Sequence, residues 1–171
     1  MYHPITIANY FIVRSFEQAD DLTPMKLLKL VYIAHGWYLG AIEKPFISEE
    51  VEAWKYGPVI VSLYRSTKKY EGEQVTDLIG IDNIDPLLDT NKDEYEIKFL
   101  DEIWKYYRGY DGLELLNLTC LDDSPWHQTV IRGKTIISDD LIISHYRDKL
   151  PDDIQTSSLV KELRSKQQAR D

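Results

Sequence analysis

Apolar positions along this chain recur mostly at spacings of three and four, the period of a helix with one buried face, and alternate as in a strand only once. Ile5, Ala8, Ile12 and Phe16 share one such face, which predicts a first amphipathic helix over about residues 5–20. Thr23-Pro24 supplies an N-cap and a first-turn proline for a second helix, whose stripe of Leu27, Leu30, Val31, Ala34 and Tyr38 runs to about Gly40. The period then changes. Between Phe46 and Tyr56, Ile47, Val51 and Ala53 take odd positions and Glu50, Glu52 and Trp54 even ones, the pattern of a short half-buried strand at an edge or in a hairpin. Gly57-Pro58 interrupts it, and Val59, Leu63 and Ser66-Thr67 read as a third helix to about Tyr70, with Pro58 at its start.

Residues 72–90 mix Gly, Asn, Asp and Pro86 with short apolar pairs and show no clean period, so they are expected to form a long connection with at most one weak strand. From Asp93 to Arg108, Ile97, Leu100, Trp104 and Tyr107 make a helical face behind an acidic first turn, which the helix dipole favours. Leu113, Leu116 and Cys120 predict a short helix that stops near Ser124-Pro125. Ser138 caps a final helix carrying Leu141, Ile142 and Tyr146 and ending before Pro151. Residues 152–171 are net neutral and poor in apolar side chains, a marginal helix or a disordered tail. The fold class is therefore α+β and predominantly helical, with about five helices and a two- or three-stranded sheet. Residues 1–150 form one domain, and residues 151–171 form a tail.

Charge and chemistry narrow the function by exclusion. The 171 residues hold 20 Lys and Arg against 29 Asp and Glu, a formal charge of -9. Residues 71–102 alone carry eleven acids against two bases, so the rest of the chain is balanced. Such a surplus repels phosphate backbones and disfavours nucleic-acid binding unless a basic patch is built elsewhere. It suits a basic protein partner, with Asp82, Asp85 and Asp89 as candidate contacts, or else it is a solvated loop. No apolar run reaches the ~18 residues a membrane span needs and the start lacks a secretory pattern, so a cytoplasmic protein without membrane contact is expected. The single cysteine, Cys120, rules out an internal disulfide framework.

Catalytic signatures are missing. His3, His35, His127 and His145 are scattered, none with another histidine at metal-pair spacing, and no glycine loop has a phosphate-cradling pattern, so neither a metal nor a cofactor is expected. A Cys120, His127 and Asp123 hydrolase would need an orienting group and an oxyanion site that spacing does not supply. The informative cluster is the run from Glu52 to Val59 (Glu-Ala-Trp-Lys-Tyr-Gly-Pro-Val), followed by Tyr64. It is either a packed corner or a place where Trp54 and Tyr56, with Trp126, meet a partner, since Trp and Tyr are enriched at interfaces.

Three runs together resemble the Panacea domain of the SocA-like antitoxin family, also found in phage-associated and mobile-element proteins. They are residues 23–32, which include Lys29 and Tyr32; Gly36-Trp37-Tyr38-Leu39; and residues 52–59, which include Gly57 and Pro58. Residues 115–126 are similar to that family's second signature, with Pro125-Trp126 retained and Cys120 standing where the family usually has a histidine. The resemblance implies a cytoplasmic, non-enzymatic antitoxin of a type II toxin-antitoxin system that neutralises an adjacently encoded toxin by direct contact. It also implies an alternative, an adaptor that delivers its toxin to an AAA+ protease, for which the tail at residues 159–170 is a candidate docking element.

Overall fold

A computed structural model describes residues 1–80, 87–149 and 157–169. Among these are eight α-helices and a three-stranded antiparallel sheet, so the chain is mostly helical with a small sheet, as the periodicity predicts. Helix α1 (Pro4–Gln18) is capped by His3, whose Nδ1 accepts the Ile5 amide at 3.2 Å, and α2 (Pro24–Ile42) by Thr23. Proline sits in the first turn of each, where its missing N–H has no intrahelical acceptor to lose. Both helices are more deeply buried than a single stripe requires. In α1, Ile5, Ile7, Ala8, Phe11 and Ile12 are all enclosed, whereas Phe16, expected on the buried face, is half exposed beyond the last packed turn.

Helix α2 is the hub. Helices α4 (Glu94–Tyr107), α5 (Gly112–Thr119) and α7 (Asp139–Arg147) pack around it, and α1 lies alongside. Gly36 and Gly40 form the groove that seats α7: a Cβ at Gly36 would lie 2.3 Å from the Tyr146 ring, and one at Gly40 2.8 Å from the Arg147 backbone. The long connection after Tyr70 has no strand among its described residues. It is held instead by burial of Val75 and Ile79, and by a two-way amide pair in which Asn9 donates to the Ile79 carbonyl (2.7 Å) and accepts its N–H (2.8 Å).

Strands β1 (Val51–Trp54), β2 (Gly57–Val59) and β3 (Ile136–Ile137) lie in the order β2-β1-β3, pairing Ala53 with Pro58 and Val51 with Ile137. Two expectations are corrected here. The alternating strand does lie in a hairpin, paired with β2, but it is central rather than an edge, because β3 arrives from more than eighty residues away. Pro58 lies in β2, and α3 (Val61–Thr67) begins three residues later, continued by a 3-10 turn to Tyr70. As an edge strand, β2 tolerates a residue without an N–H.

The region after α5 differs as well. Leu113 is exposed, and Leu115 is the α5 residue that enters the core. Ser124-Pro125 does not simply stop a helix but starts one, α6 (Pro125–Ile131), with the Ser124 hydroxyl accepting the His127 amide. His127 is therefore helical, and with α6 and the tail helix the count exceeds five. The tail contains α8 (Ser158–Gln168), which buries Val160 and Leu163 against α4 and α2. Arg164 donates through Nε and Nη2 to the Ala41 carbonyl, at 2.9 and 2.7 Å, satisfying an orphan acceptor at the C-terminus of α2 where a cation is favoured. The boundary drawn between residues 150 and 151 lies outside the described residues.

Candidate partner-binding site

The run from Glu52 to Val59 folds as β1, a two-residue turn and β2, and it closes over Lys29 of α2. Lys29 is 2% exposed, and its Nζ donates to the Tyr56 carbonyl at 3.2 Å and the Pro58 carbonyl at 2.9 Å. Burial pulls its pKa down to about 8, and it forms no ion pair with a carboxylate among the described residues. Gly57 has φ +93, outside the range that side chains favour, and a Cβ there would lie 2.8 Å from Lys29 Nζ and 2.9 Å from Cys120 Sγ. The lysine therefore ties the strand turn to the hub helix. Cys120, at the end of α5, is the third member of this contact; burial raises its thiol pKa, partly offset by the Lys29 charge.

Above this buried knot the aromatics are held in place by their own polar atoms. The Trp54 indole N–H donates to Glu52 at 2.6 Å and its ring meets Tyr64 edge-on at 4.9 Å. Trp126 donates its indole N–H to the Trp54 carbonyl at 2.8 Å, which joins α6 to β1. Both indoles remain half-buried. Tyr56, at the tip of the turn, is 67% exposed, with the Lys55 ammonium 5.1 Å from its ring centre. The structure thus brings Trp54, Tyr56 and Trp126 into one region.

Other residues singled out from the sequence serve packing. Tyr32 is buried edge-on to Tyr146, and Trp37 meets the same ring at 5.0 Å while donating to the Tyr107 hydroxyl at 2.9 Å. Pro125 is buried in the first turn of α6. Asp82 and Asp85 lie outside the described residues. Asp89 accepts the backbone N–H groups of Asn91 and Lys92, which lower its pKa and hold a turn. Much of the neighbouring acidic charge is paired internally: Asp77 with Lys69, Glu94 with Lys98, Asp101 with Arg14 and buried Glu96 with Lys166.

Cys120 and Asp123 line one open surface pocket, but the three hydrolase candidates form no hydrogen-bonded triad among the described residues. Among the described residues no hydrogen bond joins Cys120 to His127, whose Nδ1 instead faces the Asp122 carbonyl at 2.7 Å. Asp123 pairs with Lys149 at 3.0 Å. No cluster of three or more metal-ligating side chains occurs among the described residues, and no helix among them is long and apolar enough to cross a membrane. The exposed pair Val130 and Ile131 on α6 escapes a reading in which the helical pattern stops at Ser124-Pro125. The available signal was Ser124 as an N-cap before a first-turn proline.

No solved structure matches the chain. Among curated proteins, Antitoxin SocA of Caulobacter vibrioides (strain NA1000 / CB15N) is 34% identical over 59 residues, a match that covers 34% of this chain and 31% of that relative's length. The family model described as "Antitoxin SocA-like, Panacea domain" matches residues 27–127, a span that starts in the hub helix, takes in the Lys29–Gly57 knot and ends one residue past Trp126. With more than half of its length matched by that model, the chain belongs to the SocA-like antitoxin family, the Panacea domain.

Proposed function

We propose that this protein is an antitoxin that binds a cognate protein toxin directly and neutralises it, with the surface around Trp54, Tyr56 and Trp126 as the contact. The observation that carries the reading is that two half-buried tryptophans, each held by a part-buried indole hydrogen bond, lie beside an exposed tyrosine, so the tryptophan side chains have little freedom left to lose on binding. Family membership and the similarity to an antitoxin support the same reading. Tyr56 is the sharpest probe, because only its backbone carbonyl bonds Lys29, and truncating its side chain leaves the knot intact. The test is co-expression with the product of the adjacent reading frame. Growth arrest by that product alone, relieved by the wild-type chain, is expected, with Tyr56→Ala binding at least about tenfold more weakly at unchanged melting temperature. Arrest that the wild-type chain does not relieve overturns the reading.

A further inference from the structure

In a chain of net charge -9, residues 53–70 carry Lys55, Arg65, Lys68 and Lys69 without one carboxylate, and residues 124–138 carry Arg132 and Lys134, again without one. The fold brings residues 53 and 54, at the start of the first segment, against residues 126 and 135 of the second, and the Trp54 ring meets Tyr64 of α3 edge-on at 4.9 Å. The Ala53 amide donates to the Thr135 carbonyl at 2.7 Å, the Trp126 indole to the Trp54 carbonyl at 2.8 Å, and β1 pairs with β3. Lys69 is neutralised by Asp77. The other five cations are exposed and form no ion pair among the described residues. Of the acids that border these segments, Glu52 bonds the Trp54 indole, Glu49 accepts the Ser62 amide at 2.9 Å and Asp123 pairs with Lys149, while Glu50, just before β1, and Asp139 and Asp140, at the start of α7, remain exposed.

The same segments also expose apolar side chains: Tyr56 at 67%, Ile131 at 66%, and Tyr64 and Ile136 at 36% each. Unpaired cations next to exposed aromatic and aliphatic groups match a partner that offers carboxylates beside apolar side chains. A phosphate backbone offers nothing to Ile131 or Ile136, and its dense charge is repelled by the acidic remainder of the molecule. We propose that this face takes a carboxylate-rich surface of the toxin, so that the chain meets its partner through its basic side although its total charge is negative. This rests on the antitoxin reading and specifies the chemistry of the same contact.

The test compares two triple variants of equal net charge. Lys55→Glu/Arg65→Glu/Lys68→Glu reverses the face, and Lys92→Glu/Lys98→Glu/Lys105→Glu reverses three exposed cations on and just before α4. After melting curves confirm folding, each is measured at low and high salt against three probes: the purified product of the adjacent reading frame, a random Glu–Tyr copolymer and a 20-base-pair DNA. The expected result is an on-rate to the toxin at least tenfold lower, with a flattened salt dependence, for the first variant and a change under twofold for the second. Equal loss in both variants, or loss in neither, overturns the proposal. DNA binding by wild type that the first variant abolishes, without copolymer binding, also overturns it, since the face would then read phosphate. If the adjacent product does not bind wild type, the antitoxin reading fails separately. The copolymer still decides the face: retention by wild type but not by the first variant supports it, and equal retention by both overturns it.

Discussion

Replacing Gly57 with alanine adds a single methyl group at the place where the hub helix, the strand turn and the end of α5 meet. Two costs follow. With φ at +93 the residue occupies a backbone region that disfavours a Cβ by ~1–2 kcal/mol. The new methyl would also sit 2.8 Å from Lys29 Nζ, 2.9 Å from Cys120 Sγ and 3.0 Å from Leu116 Cδ1, so at least one must move. The ammonium is the costly one to displace, because it bonds two carbonyls in a buried position, and a hydrogen bond from a charged group contributes ~1.5–3 kcal/mol. Together the loss is about 3–4 kcal/mol, a fall in Tm on the order of 10 °C for a chain of this length. Calorimetry on Gly57→Ala in the wild-type and Lys29→Ala backgrounds separates the two costs. With the lysine tip removed, the hydrogen-bond loss drops out and what remains is the backbone strain of ~1–2 kcal/mol plus the small shift of Cys120 and Leu116 into the space the lysine leaves. A Tm within about 2 °C of wild type, or an equal loss in both backgrounds, would refute the account of the knot.

Lys29 titrates at about 8 in the folded protein against ~10.4 unfolded, so between those values the unfolded chain binds more protons and stability rises with pH. Wild type should gain on the order of 3 kcal/mol relative to Lys29→Met from pH 8 to 10.5 in urea titrations, and a flat difference would contradict the buried charge. His35, buried and pulled down to about 4 from ~6.5, has the same sense in an acid window: stability is complete above pH 6.5 and declines toward pH 4. His35→Gln should flatten that decline, and an unaltered acid limb would assign it to other groups. Leu163→Ala should cost ~2–4 kcal/mol and speed amide exchange throughout α8, because the side chain is 1% exposed. A wild-type melting curve would show α8 undocked in solution.

Local signals carried much of the architecture. Thr23-Pro24 and the apolar spacing after it locate α2, and the acidic start and apolar face locate α4, because caps and periodicity act over a few residues and are written contiguously; Ser138 stands at the N-cap position of α7, although its side chain makes no capping bond. The motif residues at 23–32 and 52–59 likewise identify the family before any coordinates do. Other features depend on partners distant in the chain. Whether β1 is an edge depends on β3, and Pro58 can lie in a strand only because β2 is the outermost one. Lys29 reads as one more basic residue on a helix until the fold closes the Tyr56 and Pro58 carbonyls over it. The acidic run between 71 and 102 reads in sequence as either a docking surface or a solvated loop, and among the described residues the fold pairs several of its acids with Arg14, Lys69, Lys98 and Lys166. The sequence by itself determined most of the helices, some of their caps and the family, since these depend on short-range order. Only the tertiary structure decided which charges are neutralised and which aromatics share a face, since charge pairing and burial are set by proximity in space.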